Sequence, residues 1–219
     1  MPRALFEKTG RAVWISHLDL MRLFQRAFKR AGLHLTHTHG YNPRASVSIA
    51  LPLSVGVESQ CELLDFALDG QDVSMDEIRD RLNEALVDGV RIREIYDNGK
   101  KIGELSLLHC TVTLEYDSGV PQDAFQTITA LFERPSITVV KKTKSGPQDQ
   151  DIIPMIRRLS VSQKSHTELE LDALICCQNP TLNPAQLALA IEKYLPEYTP
   201  DFSKCKRLEI YDRNETVFR

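Results

Sequence analysis

The chain has 219 residues, of which 42% are apolar and 26% are charged, and its net charge at neutral pH is −3. This composition is typical of a folded globular protein, and no apolar run approaches the about 20 residues that a membrane-spanning helix needs. Because the first ten residues also lack the apolar segment of a secretory signal, we expect a cytoplasmic protein with no membrane partner.

The first half of the chain predicts the element order strand, helix, two or more strands, helix, strand. Residues 4–16 are β-rich, with a bend or hairpin turn at Thr9 and Gly10. Ser16 and Asp19 then fit a capping box, and Gly32 is a natural helix end. A second helix begins at Ser74 and again ends at a glycine. The other β-rich stretches are 33–39, 46–55, 61–69 and 90–97, with a loop at 40–45.

The second half repeats this order without residue-level identity between the halves. Strands are predicted at 105–117, 136–144, 167–177 and 206–212, and helices at 121–134 and 183–195. Asn183 is the expected cap of the last helix, with Pro184 at its first position. Residues 144–151 are polar and indicate a solvated loop. We therefore predict an α+β protein of two tandem ferredoxin-like (βαββαβ) domains with antiparallel sheets, at 1–100 and 104–219.

Charge is distributed unevenly along the chain. Residues 1–50 hold eight Lys or Arg against two Asp or Glu, a net charge of +6, so residues 51–219 sum to −9. Four of the six histidines also lie in this basic segment: His17, His34, His37 and His39. A basic N-terminal domain on an otherwise acidic chain indicates a local site for an anionic partner.

The helix that begins at Ser16 is predicted to have an apolar face and a basic face. At 100° per residue, one side collects Leu20, Leu23, Phe24, Ala27, Phe28 and Ala31. The opposite arc collects Arg22, Arg26, Lys29 and Arg30, without acids at the i±4 positions. Two interpretations stay open: a solvated face that happens to be basic, and a surface that holds phosphates.

The segment after this helix combines histidines with a tight turn. Gly40, Tyr41, Asn42 and Pro43 predict a rigid turn that would display Tyr41 for stacking and Arg44 for a phosphate. An ordinary loop between strands is the alternative. His37 and His39 would share one face of a strand and contact RNA there. A zinc site needs further ligands, so we predict neither a metal nor a cofactor.

His17 is the one catalytic candidate. It follows the helix cap, and a neutral histidine beside cations suits a general base in metal-independent RNA cleavage. The same position tolerates a histidine with no chemistry. The five cysteines are irregularly spaced and form no CxxC pair or cluster-binding triplet, which disfavours disulfide scaffolds, zinc ribbons and iron–sulfur sites.

Three stretches carry a family resemblance: WISHLDLMRLFQRAFKRAGL at 14–33, GYNPRASVSIALPLSVGVES at 40–59 and LLDFAL at 63–68. In combination they resemble the radical SAM-associated family of unknown function, whose members are fused to or encoded beside radical SAM proteins. The family commonly has His-Pro after its Asn-Pro turn, whereas this chain has Arg44 and Ala45. The helix end and turn are also similar to those of CRISPR repeat-processing endoribonucleases, which use tandem ferredoxin-like domains and an N-terminal histidine.

The residues and the resemblance together lead to one expectation and two alternatives. We expect an RNA-binding accessory protein of RNA modification or processing that acts with a radical SAM enzyme on RNA such as tRNA or rRNA. The RNA-binding residues would be Arg22, Arg26, Lys29, Arg30, His37, His39, Tyr41, Asn42 and Arg44. The alternatives are a protein-docking module for a radical SAM enzyme without RNA contact, and a metal-independent endoribonuclease using His17.

Overall fold

The computed structural model describes residues 1–39, 41–70, 72–143 and 146–219 and divides the chain into two compact units. The N-terminal unit comprises Met1–Ile102 with Arg219, and the C-terminal unit comprises Gly103–Phe218. Within the described residues, each unit combines two α-helices with an antiparallel sheet, which confirms the α+β prediction. No helix in these ranges is long and apolar enough to cross a membrane.

The N-terminal unit has the order β1, α1, β2, β3, α2, β4. These elements are β1 Arg3–Lys8, α1 His17–Arg30, β2 Val47–Ile49, β3 Glu58–Phe66, α2 Met75–Ala85 and β4 Val90–Tyr96. Strand β1 lies between β3 and β4, and β2 pairs with β3, with every neighbour antiparallel. The order confirms the prediction for this half, although β2 is much shorter than the predicted 46–55.

Helix α1 packs its apolar stripe on the core of the N-terminal unit. Leu20, Phe24, Ala27 and Phe28 are all buried. The Phe24 ring meets the Phe6 ring edge-on, with centroids 4.9 Å apart, and Phe28 lies 5.0 Å from Phe66. Each aromatic burial contributes roughly 1.5–3 kcal/mol. The packing fixes the helix rotation, so the opposite, basic arc must face outward.

The ends of α1 confirm their sequence signals. The Asp19 N–H donates to Ser16 Oγ at 3.2 Å, as expected of an N-cap. Gly32 has a φ of +65°, the left-handed conformation in which glycine ends helices at little cost. Ser74 caps α2 in the same way, accepting from the Glu77 N–H.

The prediction that residues 4–16 are β-rich throughout is wrong in its second half. Strand β1 ends at Lys8, and Gly10–Trp14 forms a 3₁₀ turn. The cause is a contact that sequence periodicity does not encode: the buried Lys8 ammonium donates to the carbonyl oxygens of Val13 and Ile15, both at 3.0 Å. An ion taken out of water needs such acceptors, and the chain folds back to supply them.

The C-terminal unit has two sheets. Its strands are β5 Leu105–Glu115, β6 Thr138–Thr143, β7 Gly146–Asp151, β8 Ile156–Gln163, β9 Glu168–Cys176 and β10 Phe202–Asp212. Helices α3 Ala124–Phe132 and α4 Ala185–Tyr194 complete the unit. In its main sheet β5 lies between β10 and β9, and β8 pairs with the other edge of β9. Strands β6 and β7 form a separate antiparallel pair.

Three predictions for this half are corrected. The supposed loop 144–151 contains strand β7 (residues 144 and 145 lie outside the described residues). Its sequence GPQDQD has no large apolar residue, so the strand depends on backbone pairing with β6 and on polar contacts such as that of Asp151 Oδ1, which accepts from the Ile137 N–H at 3.0 Å. The strand beside β9 is β8, which the sequence prediction omitted. The exposed side chains of β8 are mostly polar, and its apolar side chains are only half-buried, so the strand has no strong apolar pattern. Helix α4 begins at Ala185, one residue later than expected, with Asn183 Oδ1 accepting from its N–H.

Candidate nucleic-acid interface

The basic residues of α1 form one exposed surface, here called the cationic face: Arg22, Arg26, Lys29 and Arg30. All four side chains are exposed, because the opposite stripe of the helix is buried. Guanidinium groups in such a row can hold successive phosphates by paired hydrogen bonds. The four residues of α1 that were predicted to bind phosphates therefore lie on one exposed surface.

Arg22 has a local partner that the i±4 spacing did not reveal. Its Nη1 lies 3.0 Å from Asp19 Oδ1, three residues earlier, and both side chains are more than half exposed. Ser16 Oγ donates to the other Asp19 oxygen at 2.8 Å. The Ser16 hydrogen bond and then the Arg22 contact lower the pKa of Asp19. The pair orients Arg22, and an exposed pair of this kind is easily exchanged for a phosphate.

Arg30 is exposed, but its side chain also links α1 to α2. Its Nη2 donates to the Ala85 carbonyl at the end of α2, at 2.6 Å. Arg81 of α2 donates in turn to the Ala31 carbonyl at the end of α1, at 2.5 Å. Each helix thus caps the C-terminus of the other, where carbonyls lack helical partners. Arg30 is therefore less available to an anion than the other three members of the cationic face.

Two shallow cavities flank α1. A cavity of about 430 Å³ is lined by Ile15, Asp19, Arg22, Leu23, Arg26, Arg30 and Val87. A cavity of about 350 Å³ is lined by Gln25, Phe28, Lys29, Leu33, His34, Leu35, His37 and Ala45. The first places three arginines beside apolar side chains. The second joins Lys29 to His37, two residues that the sequence predicted separately.

Residues 35–39 and 41–46, here called the finger, form a narrow hairpin after α1. Thr38 N donates to the Arg44 carbonyl and Ser46 N to the Thr36 carbonyl, both at 2.8 Å. Arg44 N also donates to Thr38 Oγ1 at 3.0 Å. Tyr41 is fully exposed near the tip. The neighbouring residues His37, His39, Asn42 and Arg44 are also exposed, and Gly40 of the predicted turn lies outside the described residues.

His17 is the first residue of α1 and is half-buried. Its Nδ1 is buried and has no hydrogen-bond partner among the described residues. It lines neither of the two cavities beside α1. His17 is therefore not among the residues that line these cavities with Arg22, Arg26 and Lys29, and its catalytic role stays a prediction.

Sequence reasoning missed three apolar side chains near the start of α1: Trp14, Leu18 and Val55. They are 66%, 67% and 53% exposed. Leu18 falls within the helical arc of Arg22 and Lys29, so its phase already marked it as outward-facing. Trp14 carried no comparable signal, because its exposure depends on the 3₁₀ turn.

The C-terminal unit has a row of carboxylates on neighbouring strands. Glu115 on β5 lies opposite Glu168 on β9, and the next outward positions of β9 are Glu170 and Asp172. Some of these carboxylates have side-chain partners: His109 Nε2 lies 3.0 Å from both Asp172 oxygens, and Lys164 pairs with Glu170 at 3.1 Å. On the neighbouring strand β10, Lys204 pairs with Glu115 and Lys206 lies opposite Thr111, so this face carries charges of both signs.

Comparison with solved structures concerns the fold alone. A chain of "Crystal Structure of a Cbf5-Nop10-Gar1 Complex" is similar with a TM-score of 0.54 and 8% identity, over 95% of this chain and 48% of that one. This chain therefore spans about half the length of that relative. The structure titled "Crystal Structure of an Unknown Protein from Galdieria sulphuraria" has a TM-score of 0.26 at 10% identity, over 94% and 96% of the chains.

Sequence comparison identifies the family. No curated protein matches the chain. The family described as "Uncharacterized protein conserved in bacteria (DUF2344)" matches residues 2–184, which include all but the terminal residues of the N-terminal unit and most of the C-terminal unit. The chain belongs to this family of conserved bacterial proteins.

Proposed function

We propose that this protein binds RNA through its N-terminal unit, as an accessory protein of RNA modification or processing. One observation carries the proposal: Arg22, Arg26 and Lys29 are exposed in a row on α1, and the finger with its fully exposed Tyr41 follows the same helix. Cations that track a phosphate backbone together with aromatics that stack on bases are the usual parts of an RNA-binding surface.

The two units also support a finer description of the fold, that each is ferredoxin-like. In the N-terminal unit the first strand lies between the fourth and the third, and the second pairs with the third. The main sheet of the C-terminal unit has the same order, β10, β5, β9, β8, with β6 and β7 as an insertion. Both the element order and the antiparallel pairing fit the split βαβ pattern.

The partner proposed from the resemblance is a radical SAM enzyme. All five cysteines of the chain are buried free thiols. Burial raises the pKa of Cys110 and Cys177 to about 12, whereas a cluster ligand must be a thiolate. In this proposal the partner enzyme therefore supplies the iron–sulfur cluster, and this protein holds the RNA, with tRNA and rRNA as the first candidates.

The test is a binding titration of fluorescently labelled total tRNA and an rRNA fragment, over a salt series with EDTA present. We expect binding whose logarithm falls steeply and linearly with the logarithm of salt concentration. The double variant Arg22→Glu with Arg26→Glu should abolish it. A matched control is Arg157→Glu with Arg213→Glu, which makes the same charge change at exposed sites of the C-terminal unit.

Two outcomes would contradict the proposal. One is the absence of binding at low salt, and the other is an equal loss in the control variant, which would indicate general electrostatic attraction. The same samples test cleavage by His17, since EDTA removes metal-dependent nucleases. Because His17 lines neither cavity beside α1, we expect the RNA to stay intact.

A further inference from the structure

Trp14, the one tryptophan of the chain, is held rigidly at the surface. The carbonyls on either side of it, Val13 and Ile15, both accept from the buried Lys8 ammonium at 3.0 Å. The Gly56 N–H donates to the Val13 carbonyl as well, at 2.9 Å. The backbone that carries Trp14 is therefore fixed from two directions, while the residue itself stays 66% exposed.

The loop at Gly56 runs close to the ring of Trp14. Gly56 has a φ of +82°, and a Cβ built there would lie 3.5 Å from Cζ3 of Trp14. Burial of an aromatic side chain is strongly favourable, and this free energy is not gained while the Trp14 indole is exposed to water. An exposed indole on a fixed backbone can thus receive a ligand without rearrangement of the main chain that carries it.

Trp14 lies just before the helix that carries the cationic face. Trp14 precedes the N-terminus of α1, and Tyr41 lies in the finger that follows the C-terminus of the same helix. Arg22, Arg26 and Lys29 lie along the helix between them. The 14 residues of α1 span about 21 Å, which matches about six nucleotides at the stacked spacing of about 3.4 Å.

We infer that this surface takes a single-stranded segment of RNA, with one base stacked on Trp14 and the backbone along the cationic face. The inference rests on the proposed RNA binding and names its substrate class. A single strand is required because the base faces of a duplex are covered by their neighbours, whereas unpaired bases can stack on aromatic side chains. The exposed Leu18 in the first turn of α1 adds apolar surface beside this position.

The chain contains its own reporter, because all tryptophan fluorescence comes from Trp14. The protein is titrated with an eight-nucleotide single-stranded RNA, with the blunt duplex of the same sequence, and with inorganic polyphosphate. We expect the single strand to quench the Trp14 emission in a saturable manner. Polyphosphate should leave the emission unchanged, and the duplex should bind more weakly than the single strand at the same salt concentration.

Variants separate stacking from charge. Stacking on one base is worth about 1–3 kcal/mol, so Trp14→Ala should weaken single-strand binding by about fivefold to 150-fold, as measured with labelled RNA. Trp14→Phe should keep most of the affinity. Phe202→Ala, which removes a 51% exposed aromatic of the C-terminal unit, is the matched control and should change nothing.

The failures of the two proposals are distinguishable. RNA binding without any change in Trp14 emission, and with equal affinity for Trp14→Ala and wild type, would overturn the inference but not the proposed function. Equal weakening of single-strand and duplex binding in Trp14→Ala would overturn the single-strand assignment. Absence of binding to every RNA at low salt would overturn the proposed function itself.

Discussion

Lys8 illustrates how a single buried charge organises the N-terminal unit. Its side chain is fully buried, and its ammonium donates to carbonyls of the turn that carries Trp14. Hydrogen bonds from a charged donor are worth about 1.5–3 kcal/mol, and a buried carbonyl left without a donor costs a similar amount. The residue therefore connects the interior of the sheet to the proposed RNA surface.

We predict that Lys8→Met lowers the free energy of unfolding by about 2 kcal/mol, because the Val13 and Ile15 carbonyls lose a donor. Urea unfolding followed by circular dichroism measures the change. Lys164→Met, at a half-exposed site of the C-terminal unit, is the control and should shift stability by less than about 0.5 kcal/mol. Equal stability of Lys8→Met and wild type would show that this bonding contributes nothing.

Arg22 and Arg30 differ in their contacts, so their substitutions should have different effects. Arg30→Gln removes the donor to the Ala85 carbonyl and should lower the free energy of unfolding by about 1 kcal/mol. Arg22→Gln should leave stability unchanged and weaken RNA binding more than Arg30→Gln does, because the Asp19 pair is exposed. Thermal melting measures the stability of both variants, and RNA titration measures their affinity. Equal stability and equal affinity of the two variants would contradict these different roles of Arg22 and Arg30.

At the scale of elements, the turn before β4 is constrained by a close backbone approach. Gly89 has a φ of +84°, and a Cβ built there would lie 2.3 Å from the Thr9 carbonyl oxygen and 2.9 Å from Ala12 Cβ. The Gly89 carbonyl also accepts from the Thr9 N–H at 2.7 Å. The turn thereby fixes the chain where β1 ends and the 3₁₀ turn begins.

Gly89→Ala should lower the free energy of unfolding by about 2 kcal/mol or more, since both the left-handed backbone and the contact with Thr9 oppose a side chain. Gly103→Ala is the matched control, because a Cβ there meets nothing within 4 Å. Chemical unfolding of the two variants measures the difference. If Gly89→Ala were as stable as Gly103→Ala, the backbone at residue 89 would be able to shift without loss of stability, and the prediction would be wrong.

At the scale of the whole molecule, the buried thiols make stability depend on alkaline pH. Burial raises the pKa of Cys110 and Cys177 to about 12 and that of Cys205 to about 11, from an ordinary value near 9. The unfolded chain therefore releases these protons first as pH rises. The stabilisation is fully present below about pH 9 and is lost between about pH 9 and pH 12.

We predict that the urea midpoint is constant from pH 7 to 8.5 and falls above pH 9, with about 1 kcal/mol lost per pH unit for each of these thiols. Unfolding series at several pH values measure the slope. Cys205→Ala should be less stable at neutral pH but should show a shallower decline. An identical decline in that variant would assign the effect to other groups.

Features that depend on nearby residues could be predicted from the sequence, whereas features that depend on contacts between distant residues could not. The limits of α1 followed from Ser16 and Gly32, and its exposed basic arc from the spacing of Arg22, Arg26 and Lys29, because both depend on neighbours within one or two turns. The 3₁₀ turn was missed because Lys8 reaches forward to create it. The β7 strand was missed because it is stabilised by backbone pairing with β6 and by polar side-chain contacts of Gln150 and Asp151, which leave no apolar pattern. The second role of Arg30 was missed because Ala85 is 55 residues away.

The reciprocal capping by Arg30 and Arg81 makes α1 and α2 cooperative with each other. Fraying of either helix end breaks a bond that closes the other, so the last turns of both helices should exchange their amide hydrogens with the same opening free energy. Hydrogen exchange at these turns should show equal protection, and Arg81→Gln should lower it in both helices. In the proposed RNA complex, the hydrogen bonds between these two helix ends would keep the spacing of the arginines on α1 unchanged while RNA is bound.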